Sequence, residues 1–149
     1  MKAASLAPSA CNSQPWKFVV VTNDDKKREL SKLTQEIGLN KWTESAPAFI
    51  VVVEEAEPIL MPRVVEHYGT KRFSEGDVGM ATAFLLLEAT EQGLGCCIIG
   101  TYSDAEVKAL FGLPAGDTVR AIVAVGYPAD ETPRPKSRKD VSEITTLVG

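Results

Sequence analysis

The chain has 149 residues, of which 44% are hydrophobic and 24% are charged, and its formal net charge is −4. These values are typical of one globular domain, and the acidic balance argues against nucleic acid or a membrane surface as a partner. Because the sequence contains no apolar run long enough to cross a bilayer and no secretory signal pattern at its start, we expect a cytoplasmic location.

Apolar runs alternate along the chain with amphipathic segments. In chain order they predict a strand at residues 16–22, a helix at 24–37, a strand at 48–53, a short helix at 64–68, a helix at 77–92, a strand at 95–99, a helix at 104–111 and a strand at 118–125. A polar tail, 129–149, follows. The continuous apolar character of the strands favours a sheet covered on both faces, of mixed α/β or α+β type, in a single domain spanning residues 1–149.

Local signals suggest where two of the helices begin and end. Gly38 is predicted to end the first helix, after a stripe that includes Ile37. In the helix at 77–92, Asp77 is predicted as the N-cap and Gly93 as the residue that follows the end. Apolar residues occur all round this second helix, so we expect it to be enclosed by the sheet and a further element, for which an opposing subunit is a natural candidate.

Three segments carry groups suited to binding, and each has a simpler alternative. Residues 7–18 (APSACNSQPWKF) offer main-chain amides, hydroxyls and carboxamides that suit the edge of a planar heterocycle, or form a plain turn. Residues 93–102 (GLGCCIIGTY) place Gly100 at a strand end, where the backbone can approach a flat ligand, or form ordinary turns. Residues 133–139 (PRPKSRK) suit a phosphate, or form a solvated tail.

Side chains for direct catalysis are scarce. His67 is the only histidine, and the cysteines are Cys11, Cys96 and Cys97. This leaves little material for a zinc site, a disulfide framework or a histidine-dependent nucleophile. We therefore predict no catalytic side chain and no metal site.

Taken together, the three segments resemble the nitroreductase family of FMN-dependent oxidoreductases. Residues 7–18 match its APSxxNxQPWxF signature, residues 93–100 look like its G-L-G-x-C-x-I-G segment, and Lys136-Ser137-Arg138 is similar to its C-terminal basic pair. The resemblance implies an α+β fold with a central, mainly antiparallel sheet of about four to five strands flanked by helices. It also implies an intertwined homodimer with two FMN sites at the subunit interface.

The resemblance further implies which residues bind FMN and how the reaction runs. The residues implied are Pro8, Ser9, Ala10, Asn12 and Gln14 from one subunit, Ile99 and Gly100 from the other, and Lys136 and Arg138 at the phosphate. The Gly100 amide is expected to donate towards the flavin N5 position. The implied mechanism is ping-pong, with NAD(P)H as the electron donor and a nitro compound, quinone or similar small molecule as the acceptor.

The sequence departs from the family pattern at its start. Members of the family carry an N-terminal helix with an R-R-S-x-R-type stretch that contacts the FMN phosphate, whereas this chain begins at Met1 with Lys2 as the only cation there. A shortened start, weak FMN binding and loss of FMN are three explanations. The alternative function is therefore a degenerate flavin-binding or cofactor-free binding module without turnover. Dehalogenation and flavin breakdown rank lower, because they usually need additional lid residues.

Overall fold

The computed structural model describes residues 1–129 and 135–149. Its centre is a four-stranded antiparallel sheet in the order β1-β2-β4-β3. The strands are β1 (Trp16–Val21), β2 (Ala48–Glu54), β3 (Gly95–Ile99) and β4 (Thr118–Gly126). The helices are α1 (Asp24–Leu33), α2 (Pro62–Tyr68), α3 (Ser74–Glu91), α4 (Asp104–Phe111) and α5 (Val141–Ile144). The predicted α+β class and strand number are confirmed.

The sheet is covered on both faces, as its continuous apolar strands predict. Successive residues of a strand point to opposite faces, so Val51 and Val52 belong to different cores. Val51 packs with Leu30 of α1 and Val107 of α4 on one face, whereas Val52 packs with Val78 of α3 on the other. Within the described residues, no helix has both the length and the apolar character needed to span a bilayer.

The first helix is shorter than predicted, because it ends at Leu33 and not at Ile37. The Thr34 hydroxyl donates to the carbonyl of Ser31 (2.7 Å), and the Asn40 side-chain amide donates to the carbonyl of Thr34 (3.0 Å). The side chains of Thr34 and Asn40 thus bond carbonyl groups that the amides of a further helical turn would otherwise bond. Ile37 is 63% exposed and does not continue the predicted apolar stripe.

The start of α3 also differs from the prediction. The helix begins at Ser74 with Phe73 at the N-cap, so Asp77 lies inside the first turn and is not the capping residue. At the other end, Gly93 follows the C-cap with φ of +74°, a left-handed conformation that glycine adopts without strain. The predicted C-terminal end is therefore confirmed, and the predicted N-terminal end is wrong by one turn.

One side of α3 packs on the sheet through residues such as Val78 and Leu86. The outer side carries an apolar row, named here the α3 stripe, that consists of Met80, Phe84 and Leu87. Phe84 is 38% exposed and Leu87 is 67% exposed. In the single chain, α3 is therefore covered by the sheet and by the N-terminal turn (Ala4–Leu6), while the α3 stripe is exposed.

β4 contains one residue that has no pairing partner in β2. Val52 and Val53 lie opposite Ala121 and Val119, so Arg120 is left out of the register. A bulge of this kind interrupts the regular alternation of faces. Val119 consequently packs in the core beneath α1 and α4, while the Arg120 side chain lies on the α3 side.

The bulge brings Arg120 to a buried carboxylate at the end of β2. Glu54 is fully buried, and its Oε1 accepts hydrogen bonds from the Ser74 hydroxyl (2.5 Å) and the Lys71 ammonium (3.1 Å), while its Oε2 accepts from Arg120. Burial raises the pKa of Glu54, but the hydrogen bonds from Ser74, Lys71 and Arg120 outweigh it and hold the pKa below its usual value of 4.5. This network, called the Glu54 network below, joins β2, β4 and the first turn of α3.

We expect Glu54→Gln to lower the free energy of unfolding by about 2–4 kcal/mol at neutral pH, since Lys71 and Arg120 lose their anionic partner. The folded-state pKa of Glu54 lies below the unfolded value, so its stabilisation is present above the unfolded pKa and is lost as pH falls through the folded one. Urea unfolding from about pH 7 to about pH 3 should therefore show the difference between wild type and variant shrinking at the acid end.

The matched control is Glu55→Gln, because Glu55 is the adjacent acidic residue and is exposed. It should change stability by less than about 0.5 kcal/mol. A Glu54→Gln deficit of undiminished size at the lowest pH would contradict the assignment.

Candidate functional site

Residues 7–15 form a tight loop between an N-terminal turn and β1. Within it, Ala10–Asn12 make one 3-10 turn. The Ser9 hydroxyl accepts a hydrogen bond from the Gln14 main-chain amide (3.0 Å), and the Gln14 side-chain amide donates to the carbonyl of Asn12 (3.3 Å). The predicted residues Ser9 and Gln14 therefore help to close the loop on itself.

The backbone of this loop is strained. Cys11, Asn12 and Gln14 have φ of +52°, +54° and +48°. Asparagine tolerates this left-handed region, whereas for cysteine and glutamine it costs roughly 1–2 kcal/mol each. Such conformations persist only where surrounding contacts impose them, and they concentrate at binding sites. Of the remaining predicted residues, Pro8 is exposed and Ala10 is half-buried.

Gly100 directly follows β3 and is exposed. A Cβ built at this position meets no atom within 4 Å, so the space beside it is open. The side chain of Ile99 is 3% exposed and lies in the core beneath α1 and α4. Only the main chain of Ile99 is therefore available to a ligand, while Ile98, which points to the α3 face, is 52% exposed.

The chain after Gly100 is fastened to the start of β4. The Tyr102 hydroxyl donates to the Val119 carbonyl (2.8 Å), and the Asp104 carboxylate accepts from the Val119 amide (2.8 Å). Burial, reinforced by the Asp104 charge, raises the pKa of Tyr102 to about 12, so the phenol stays a donor at neutral pH. Burial raises the pKa of Asp104, but hydrogen bonds from Lys108 and Val119 outweigh it and lower the pKa. These contacts hold the position of Gly100.

The loop and Gly100 lie towards opposite edges of the sheet. β1, which the loop enters, is separated from β3 by β2 and β4. Neighbouring strands are about 4.8 Å apart, so three intervals place roughly 14 Å between the two edges. A single chain thus does not gather the residues of the loop and those at the end of β3 around one ring.

The predicted phosphate-binding residues lie in the C-terminal segment. Lys136 and Arg138 are exposed, and Arg138 donates to the carbonyl of the adjacent Ser137 (2.8 Å). Pro133 and Arg134, which belong to the same basic stretch, lie outside the described residues. In the part of the chain that the structure describes, no hydrogen bond or ion pair joins Lys136 or Arg138 to the loop or to Gly100.

Two side chains at the loop were not predicted as site residues. Asp77 of α3 is buried, and its Oδ2 accepts a hydrogen bond from the Ala10 amide (3.0 Å). The Ser13 hydroxyl is buried and has no hydrogen-bond partner among the described residues, which is uncommon in folded proteins. The sequence did not indicate either role. An acid near a helix start, such as Asp77, suggests an N-cap, and a serine shortly before a strand, such as Ser13, suggests a turn.

Comparison with known proteins identifies the group to which this chain is related. The family model described as "Nitroreductase family" matches residues 1–127. A curated relative from Archaeoglobus fulgidus, named "Putative NADH dehydrogenase/NAD(P)H nitroreductase", is 34% identical over 88% of this chain and 71% of its own length.

Solved structures support the same relationship. A nitroreductase family protein from Streptococcus pneumoniae TIGR4 superimposes with a TM-score of 0.82 at 27% identity, covering 98% of this chain and 85% of that one. An FMN-dependent nitroreductase from Clostridium difficile R20291 has a TM-score of 0.70 at 26% identity, covering 95% of this chain and 78% of that one. On the strength of the family match over residues 1–127 and of these likenesses, the chain belongs to the nitroreductase family.

Proposed function

We propose that the chain is an FMN-dependent oxidoreductase that moves electrons from NAD(P)H to nitro compounds, quinones or similar small acceptors. The observation that carries this proposal is the strained loop at residues 7–15, which holds the family signature in a conformation that a plain turn does not need. The names of the Archaeoglobus relative, an NAD(P)H nitroreductase, and of the FMN-dependent Clostridium protein support the choice of donor and cofactor.

The residues present fit a flavin. The space beside Gly100 is open, which suits a flat ring lying against the main chain. The buried Ser13 hydroxyl lacks a partner among the described residues, and the carboxamides of Asn12 and Gln14 are exposed, so the loop has polar groups to offer a heterocycle. Lys136 and Arg138 supply the positive charge that a phosphate requires.

In the proposed site, each subunit contributes a different part. The loop residues Pro8, Ser9, Ala10, Asn12 and Gln14 contact the ring from one chain, the main chain of Ile99 and the amide of Gly100 contact it from the other, and Lys136 and Arg138 bind the phosphate. When bound, FMN supplies the redox chemistry, and we propose a ping-pong order for donor and acceptor. The protein's task is to position the ring and to stabilise its charge.

We propose that this site forms in a homodimer. The separation between the loop and Gly100 within one chain argues for a second copy, which would place the loop of one chain beside the β3 end of the other. The α3 stripe is an apolar surface that another chain could cover. Beside the stripe, a groove of about 310 Å³ between α3 and the β3–β4 edge is lined by small and apolar residues such as Gly79, Ala83 and Leu86.

The direct test is a titration of the purified protein with FMN, followed by flavin fluorescence. We expect saturable binding, bleaching of the visible flavin absorbance by NADH or NADPH without oxygen, and its recovery when a nitro compound or quinone is added. Binding without bleaching would instead favour a flavin-binding module, and the absence of binding would remove FMN from the proposal.

Replacing Gly100 with Val should block the approach of the ring and leave the fold intact. A Cβ at residue 100 would meet no atom within 4 Å, and Gly100 does not have the positive φ that would strain a larger residue. We expect the FMN dissociation constant to rise at least about tenfold, while the free energy of unfolding changes by less than about 1 kcal/mol. The FMN dissociation constant of Gly100→Ala should lie between those of the wild type and Gly100→Val. Normal FMN affinity in Gly100→Val would refute the placement of Gly100 against the ring.

Replacing Phe84 with Glu should dissociate the dimer, because a charge in the centre of the α3 stripe is unfavourable once the stripe is covered. Sedimentation velocity should show a monomer that binds FMN much more weakly than the wild type. Ile59→Glu is the matched control, since Ile59 is an exposed apolar residue outside the stripe. A Phe84→Glu monomer with full FMN affinity would contradict a site built from two chains.

A further inference from the structure

We infer that Asp77 is a positioning residue that holds the 7–15 loop in the conformation needed to bind the flavin. This inference rests on the proposed function, because it assigns the loop a ligand. The inference goes beyond the proposed function because Asp77 belongs to α3 and not to the segments that carry the family resemblance. Asp77 is 5% exposed, and its carboxylate lies 3.0 Å from the amide of Ala10.

The contact between Asp77 and Ala10 is not explained by the needs of the helix. Asp77 lies inside the first turn of α3, and Phe73 already occupies the N-cap. The hydrogen bond that its Oδ2 accepts comes instead from a residue 67 positions earlier in the chain. A buried carboxylate is costly without partners, so its presence here indicates that the bond to the loop compensates for the burial.

The bond is made at the point where the loop needs support. Ala10 immediately precedes Cys11 and Asn12, which both have positive φ. The other side-chain acceptor within the loop, the Ser9 hydroxyl, closes it at Gln14 but ties it to nothing outside. Among the described hydrogen bonds, the Asp77 carboxylate therefore supplies the side-chain tie between the strained turn and the rest of the fold.

The helix that carries Asp77 is itself firmly held at this end. In the same first turn, the Ser74 hydroxyl donates to the carboxylate of Glu54 (2.5 Å). The next residue, Val78, is 2% exposed and packs against Val52 of the sheet. Asp77 thus fixes the position of the loop relative to the sheet. If the bond were absent, the strained residues would relax in the free protein, and the cost of ordering them again would fall on FMN binding.

The test compares two substitutions of Asp77 with two controls. Asp77→Ala removes the acceptor, whereas Asp77→Asn keeps a carbonyl oxygen that can still accept from the Ala10 amide. Glu75→Ala removes an exposed acid from the same helical turn, which forms an ion pair with Arg120 (3.7 Å) and makes no hydrogen bond to the loop among those described. Val107→Ala truncates a fully buried side chain of α4 on the opposite face of the sheet and so controls for general destabilisation.

Two measurements are needed, namely the FMN dissociation constant and amide hydrogen exchange over residues 10–14 of the FMN-free protein. Asp77→Ala should weaken FMN binding roughly tenfold and speed exchange of the Ala10 amide by a similar factor. Asp77→Asn should remain within about threefold of the wild type in both measurements. Glu75→Ala and Val107→Ala should retain wild-type affinity, although Val107→Ala lowers the melting temperature.

Wild-type affinity in Asp77→Ala would overturn the inference, and so would an equal loss of affinity in Val107→Ala. If the wild-type protein itself binds no FMN, the proposed function fails. The exchange rates of the FMN-free protein then decide separately whether Asp77 orders the loop, and unchanged exchange at Ala10 in Asp77→Ala would show that it does not.

Discussion

The burial of the Glu54 carboxylate constrains how the sheet, α3 and the loop at residues 7–15 are arranged. A carboxylate without solvent is stable only when several donors surround it, and here the donors come from three separate places: Ser74 in α3, Lys71 just before it, and Arg120 in β4. Satisfying Glu54 therefore sets where the first turn of α3 meets the sheet. Because Asp77 lies in that turn, the position of the loop depends on the same buried charge.

The candidate site is divided between two edges of the sheet, and the surface of the chain also carries an exposed apolar row of side chains. The loop offers polar groups at one edge, and Gly100 offers open main chain at the other. The α3 stripe leaves apolar side chains exposed nearby. The homodimer proposed above would join the two parts of the candidate site and cover the stripe at the same time.

The sequence was sufficient to predict the strands, because runs such as residues 48–53 are apolar and β-branched throughout and end at recognisable turns. The end of α1 and the start of α3 could not be predicted in the same way. Thr34, Asn40 and Asp77 use their side chains on backbone groups elsewhere, and those partners are known only once the fold is known. Local helix signals cannot include competition of this kind.

For the candidate site, the family signature indicated three segments but not their geometry. The positive φ of Cys11 and Gln14 is contrary to the preference of both residue types, so propensity would have argued against it. Ile99 was expected to line the ring, yet alternation along β3 turns its side chain into the core. The role of Glu54 was also hidden, since an acid that ends an apolar strand is usually an exposed residue.

The extra residue in β4 bears on which deletions this strand can accept. Deleting Arg120 would leave the pairs of Val52 with Ala121 and of Val53 with Val119 in place, so Val119 would keep its side of the sheet and its contacts with Tyr102 and Asp104. The deletion would instead remove the guanidinium group that donates to the buried carboxylate of Glu54. Homologues that lack the additional position would therefore need another donor for a buried acid at the end of β2.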